Sequence, residues 1–177
     1  MAAKLPWLQR QWKFDGPVGV YPDILERLRG VPARIEDKVE KLSADVLTRR
    51  DGNTWSIQEN IGHLLDLEPL MHARLDDYLA GSAVLRAADM ENRRTHEARH
   101  NERPIGELLR EFRRERESLC RRLDDLTESD FGRTAEHPRL KVPMRMVDWM
   151  LFTADHDDYH LARMTELKRL ITGAGHP

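Results

Sequence analysis

Between Pro104 and Leu126 the apolar side chains fall at Ile105, Leu108, Leu109, Phe112, Leu119, Leu123 and Leu126, with arginines and glutamates filling the gaps. Spacings of three and four mark a helix that buries one face and wets the other. The pattern recurs three more times. A first stripe runs Ile24, Leu28, Val31, Ile35, Val39, Leu42; a second Ile57, Ile61, Leu64, Leu67, Met71, Leu75, Tyr78; a last Trp149, Phe152, His156, His160, Met164, Leu167, Ile171. No period-two alternation of useful length appears. One amphipathic helix cannot cover its own stripe, so four of them predict an all-α chain folded as a four-helix bundle.

Local signals divide the chain further. Residues 1–20 hold Trp7, Trp12 and Phe14 among polar residues, Pro and Gly, and are expected to form an N-terminal arm packed on the bundle. Pro22 opens the first helix; Gly30 and Pro32 interrupt it, and Pro32 is placed to restart it. Ser56 with Glu59 forms a capping box at the start of a second helix, expected over about 57–79 and bent at Pro69. Residues 82–103 are a long polar connection, and residues 127–143 are expected to be a loop. A fourth helix is expected from about Met144 to Ile171. Residues 1–177 are expected to form a single domain, since that length gives one sizeable core.

Formal net charge is −2, which gives no bulk attraction to nucleic acid or to an acidic membrane surface. A single cysteine, Cys120, excludes an internal disulfide framework and is expected to be a buried small hydrophobe. No apolar run reaches membrane-spanning length. The expected location is therefore cytoplasmic.

Two histidines interrupt the last stripe where apolar residues belong. His156 and His160 are four apart, so they stack on one helix face. A buried imidazole needs partners for both ring nitrogens, and a metal ion supplies one to each ring. His63, two turns into the second helix, is predicted to be buried as well and offers a third ligand. Glu68, on the apolar side of that helix, is either a buried ion-pair partner or a carboxylate near the metal. Asp155, Asp157 and Asp158 are expected at the surface, with one of them able to orient a ligating imidazole as the alternative.

A rival motif, His96-Glu97-Ala98-Arg99-His100, matches the zinc protease pattern H-E-x-x-H. It lies in a polar stretch close to Pro104 and is given little weight. His96, His100 or Asn101 could still reach a pocket above the metal if this connection folds across the bundle mouth. A ferritin-like di-iron site fails for want of its second Glu-x-x-His and two further glutamates.

The chain resembles the DinB/YfiT-like superfamily of bacterial four-helix bundles. The resemblance is carried by Trp55-Ser56 before the capped helix, by His63-Leu64-Leu65-Asp66-Leu67-Glu68, and by His156-Asp157-Asp158-Tyr159-His160-Leu161, and spans about Tyr21 to Leu170. It implies an up-down-down-up bundle, with the 82–103 connection as the crossover. It also implies one divalent metal held by His63, His156 and His160. A three-histidine donor set suits zinc, nickel, iron or copper, with zinc or nickel expected first. Several members of the superfamily are thiol-dependent transferases, so the resemblance implies a low-molecular-weight thiol as cosubstrate; relatives often form homodimers.

Three neutral imidazoles leave coordination positions open, which is the arrangement of a catalytic rather than a structural site. Such a site activates water or a thiol, so a thiol-dependent S-transferase and a hydrolase both follow from it. The alternative is a non-catalytic bundle that binds a metal or a small ligand in a stress response.

Overall fold

A computed structural model of the protein describes residues 5–173. The first bundle helix is in two pieces, α1 (Tyr21–Arg29) and α2 (Val31–Val39), joined at Gly30, with Pro32 in the first turn of the second piece. A short α3 (Ala44–Thr48) leads to α4 (Ile57–Leu79), the second bundle helix. Ser56 caps α4: its Oγ accepts from the Glu59 N–H while the Glu59 carboxylate accepts from the Ser56 N–H. Pro69 lies inside α4, where it removes one helical donor. The long connection holds α5 (Arg93–Glu97) and a 3-10 turn at His100–Glu102. The third and fourth bundle helices are α6 (Ile105–Asp124) and α8 (Met146–Thr172).

The segment expected to be a loop has more structure than that. It contains the short helix α7 (Glu128–Phe131) and an antiparallel hairpin of β1 (Thr134–Glu136) with β2 (Pro143–Arg145). Three-residue strands are too short to produce a readable alternation, so the hairpin left no periodic trace.

Side-chain contacts fix the direction of each helix. Arg27 reaches Asp155 and Asp158, and Lys38 reaches Thr165, so the α1–α2 pair runs parallel to α8. Glu68 meets Arg116 and Asp76 meets Arg122, so α4 and α6 are parallel. Asn60 meets His160 while Tyr78 donates to the Met144 carbonyl, so α4 and α8 are antiparallel. The topology is up-down-down-up, and the 80–104 connection makes the return that parallel α4 and α6 require.

Two apolar clusters fill the bundle. One gathers Leu28, Leu75, Tyr78, Phe131 and Trp149; the other gathers Val31, Ile35, Leu64, Phe112 and Met164. A buried charged layer lies between them. Arg116 is 2% exposed; it donates to Glu68 at 2.6 and 3.1 Å, to Asp157 at 2.6 Å, and to the Leu28 carbonyl at 3.3 Å. One guanidinium thus ties together α1, α4, α6 and α8. Asp157 is not the surface acid expected of it, because it points inward to meet Arg116. Asp155 and Asp158 are partly buried and pair with Arg27 and, for Asp158, Arg34. Among the described residues no helix is long and apolar enough to cross a membrane.

Candidate metal centre

The helical spacing of α8 carries His156 and His160 to one face, and α4 brings His63 opposite them. One ligand atom from each ring lies within 4.8 Å of the others, and among the described residues this is the group able to hold a metal ion. The Nε2 atoms of His156 and His160 are 3.2 Å apart. Two nitrogens at about 2.0–2.1 Å from one tetrahedral zinc would be roughly 3.3 Å apart, so the spacing fits a shared ion.

Hydrogen bonds set which nitrogen each ring presents. Asn60 donates its amide N–H to the Ser56 carbonyl at 2.7 Å, which leaves its Oδ1 as an acceptor for His160 Nδ1 at 2.8 Å. His160 therefore carries its proton on Nδ1 and presents its Nε2 lone pair on the side of His156. His63 Nδ1 lies 3.1 Å from the Thr95 hydroxyl, and Thr95 in turn bonds Asp66. The Asp66 carboxylate accepts from His100 Nε2 at 2.8 Å and pairs with Arg94 at 3.2 Å. A carboxylate–hydroxyl–imidazole chain of this kind fixes the tautomer of His63 and leaves its Nε2 unprotonated.

Burial keeps the His63 and His156 rings neutral. It pushes the His63 pKa down to about 3, helped by the neighbouring His156, and does the same to His156, helped by the positive charge of Arg116. Neutral, oriented imidazoles are the form a metal binds, so these residues fit a divalent ion.

The triad forms part of the wall of a cavity of about 470 Å³. Trp7 of the N-terminal arm, Trp55 and Phe152 line it beside the histidines. The Trp7 ring sits edge-on to His156 at 5.0 Å and also packs on Trp12 and Phe152. The described part of the arm therefore packs on the bundle, as its aromatics suggest, and it helps enclose the site.

The other expected site residues lie elsewhere. Glu68 is not in the cavity wall; its carboxylate is held by Arg116, so the ion-pair reading is the one realised. The H-E-x-x-H segment does not form one continuous helix. Arg99 adopts a left-handed φ of 50° between the two histidines, His96 is exposed, and His100 is buried against α4. His100 and Asn101 act as clamps. Asn101 accepts from the Ser56 hydroxyl at 2.7 Å, and Gln58 donates to the carbonyls of His100 and Arg103. A Cβ on Gly62 would lie 2.2 Å from His100 Cγ, so only glycine lets this segment approach α4 so closely. The connection does cross the bundle, but it serves the site through Thr95 and through Ala87–Met90 and Asn92 in the cavity wall.

Sequence reasoning missed Asn60, Asp66 and Thr95. Asn60 and Asp66 stand three residues either side of His63, hence on its own helix face, and that spacing could have drawn notice. Nothing in the sequence marks Thr95, which arrives on α5 of the distant connection.

The DinB superfamily model matches residues 27–164 of this chain. The uncharacterized protein YuaE of Bacillus subtilis (strain 168) is 27% identical over 157 residues, covering 80% of this chain and 96% of its own. Among solved structures, YfiT from Bacillus subtilis superposes with a TM-score of 0.78 at 21% identity, covering 92% of this chain and 94% of its own. YfiT is described as a probable metal-dependent hydrolase with an unusual four-helix bundle topology.

Proposed function

The chain belongs to the DinB superfamily, and from that premise we propose that it is a metal-dependent enzyme in which His63, His156 and His160 hold one divalent ion, zinc or nickel. The observation that carries this reading is the meeting of three imidazoles, two with their tautomers set by Asn60 and Thr95, at the wall of a cavity large enough for a small substrate. The description of YfiT as a hydrolase supports the same class of chemistry.

A bound divalent ion would supply a Lewis acid that lowers the pKa of a coordinated water or thiol. The chain's own residues do the rest. Asn60 and Thr95 hold the Nδ1 protons of His160 and His63, so both rings present Nε2 without reorganisation. Trp7, Trp55 and Phe152 supply apolar walls that limit water access and strengthen local electrostatics. Cys120 takes no part: it is fully buried, and burial pushes its thiol up to about 11. With that thiol excluded, we assign the attacking group to a molecule from outside the chain, water in a hydrolase or a low-molecular-weight thiol in an S-transferase.

The test is turnover by metal-loaded, tag-free protein. Ester and amide substrates would be assayed with and without added thiol, against the His156→Ala variant. Turnover that requires the metal and all three histidines supports the reading. Metal binding without turnover of any substrate, with or without a thiol, would oppose it.

A further inference from the structure

The cavity wall carries a second polar cluster that the histidine triad does not use. Arg74 of α4 lines the cavity together with His137 and Arg139 of the 137–142 turn that joins β1 to β2. Arg74 is 4% exposed, and its Nε donates to the Arg86 carbonyl at 3.0 Å. Arg139 packs its guanidinium over the Phe152 ring at 5.8 Å, and its Nη2 is buried without a hydrogen-bond partner. Among the described residues, neither arginine has a carboxylate within ion-pair distance. Asp77 acts on Arg74 only at longer range, and both Asp77 and the cavity-lining Asp89 have hydrogen-bond donors of their own. Asp77 accepts from the Arg86 backbone and side chain, at 2.8 and 3.0 Å. Asp89 accepts from the backbone N–H groups of Glu91 and Arg93, both at 3.0 Å.

His137 completes the cluster. It is 2% exposed, and its Nδ1 accepts the backbone N–H groups of Leu140 at 3.1 Å and Arg139 at 3.3 Å. Its ring proton therefore sits on Nε2, which is buried and has no partner. All three residues line the same cavity, and the charges of Arg74 and Arg139 both act on His137.

Buried cations and N–H donors without acceptors are costly, and this fold satisfies its other buried guanidinium, Arg116, with two carboxylates. An arginine fork is matched to a planar or tetrahedral oxyanion. We infer that Arg74, Arg139 and His137 form an anion subsite, and that the cavity takes a small molecule with an apolar body and a terminal carboxylate or phosphate monoester. Leu67, Leu70, Met71 and Phe152 would contact the body. That the ligand's other end meets the histidine triad rests on the proposed function; the anion subsite itself does not.

The test is calorimetric titration of chelator-treated protein with 4-phenylbutyrate, its neutral amide 4-phenylbutyramide, and 2-phenylethyl phosphate. Removing metal makes this result independent of the metal reading. At least one anion should bind about tenfold or more tightly than the amide, and the tighter of the two identifies the group. Arg139→Gln should erase that preference and leave amide binding unchanged. Arg139→Lys should restore part of it, which a merely structural role for the side chain would not do. Thermal melts would check that the variants fold. Equal binding of acid and amide, a preference that survives Arg139→Gln, or anion binding that appears only when metal is added and vanishes in His156→Ala would each overturn the inference.

Discussion

The Asn60 carboxamide accepts a hydrogen bond from His160 Nδ1 at 2.8 Å, and it faces the right way because its own N–H donates to the Ser56 carbonyl. The capped start of α4 thus sets the tautomer of a histidine on α8. Replacing Asn60 with alanine leaves His160 free to rotate and to place its proton on Nε2. Metal affinity should fall by about 10- to 100-fold, the usual effect of losing such a supporting partner. Competition against a chromophoric chelator measures this. Unchanged affinity would mean that Asn60 does not orient the ligand.

The charged layer predicts a large stability effect. Arg116→Met leaves Glu68 and Asp157 buried without the guanidinium that both touch. Breaking a buried pair in this way costs about 3–5 kcal/mol. Burial already raises both carboxyl pKa values against the pull of Arg116, and removing that pull raises them further. A carboxyl whose folded pKa lies above its unfolded value loses stability as pH rises, so the deficit should be larger at pH 7 than at pH 5. Urea unfolding at the two pH values checks both the size and the direction.

The imidazoles predict the opposite pH trend for the wild-type, metal-free protein. Burial pushes His63 and His156 down to about 3 and His137 down to about 4, whereas the unfolded chain takes up these protons near the ordinary value of 6.5. Between those limits the unfolded state binds more protons, so folding stability should fall as pH drops below about 6.5. Replacing His137 with Gln should flatten part of that slope. Denaturant midpoints from pH 7.5 to 4.5 in the presence of a chelator measure it.

Gly62 predicts a local failure. Its substitution by alanine drives a Cβ into the His100 ring, so the connection must lift off α4 and take Thr95 with it. Cleavage within residues 82–103 by a nonspecific protease should accelerate, and metal affinity should weaken through His63. The His100 ring is not part of either apolar cluster, so the global unfolding midpoint should move less than the cleavage rate.

The four bundle helices were legible because each buries an apolar stripe over many turns. The expected 57–79 span of the second coincides with α4, since Ser56 and Glu59 mark its start and Gly81 follows its end. The pairing of His156 with His160 was legible for the same reason: helical spacing is a local property. What escaped the sequence depends on contacts between distant segments. Thr95 reaches His63 from α5 of the connection, and Arg139 comes to the cavity that Arg74 lines through a hairpin of three-residue strands. Asp157 read as a surface acid until Arg116 of another helix supplied a reason for it to face inward.

The central claim is that one divalent ion is held jointly by His63, His156 and His160. The most direct measurement is cobalt titration of tag-free protein and of the three single alanine variants, followed by optical absorption. The wild type should bind one cobalt ion with a spectrum of low coordination number that changes when a thiol is added. Each variant should bind far more weakly, while the His96→Ala/His100→Ala protein should keep its one-ion stoichiometry. Full cobalt retention in His156→Ala, or loss of the ion in the His96→Ala/His100→Ala protein with the triad intact, would contradict the account.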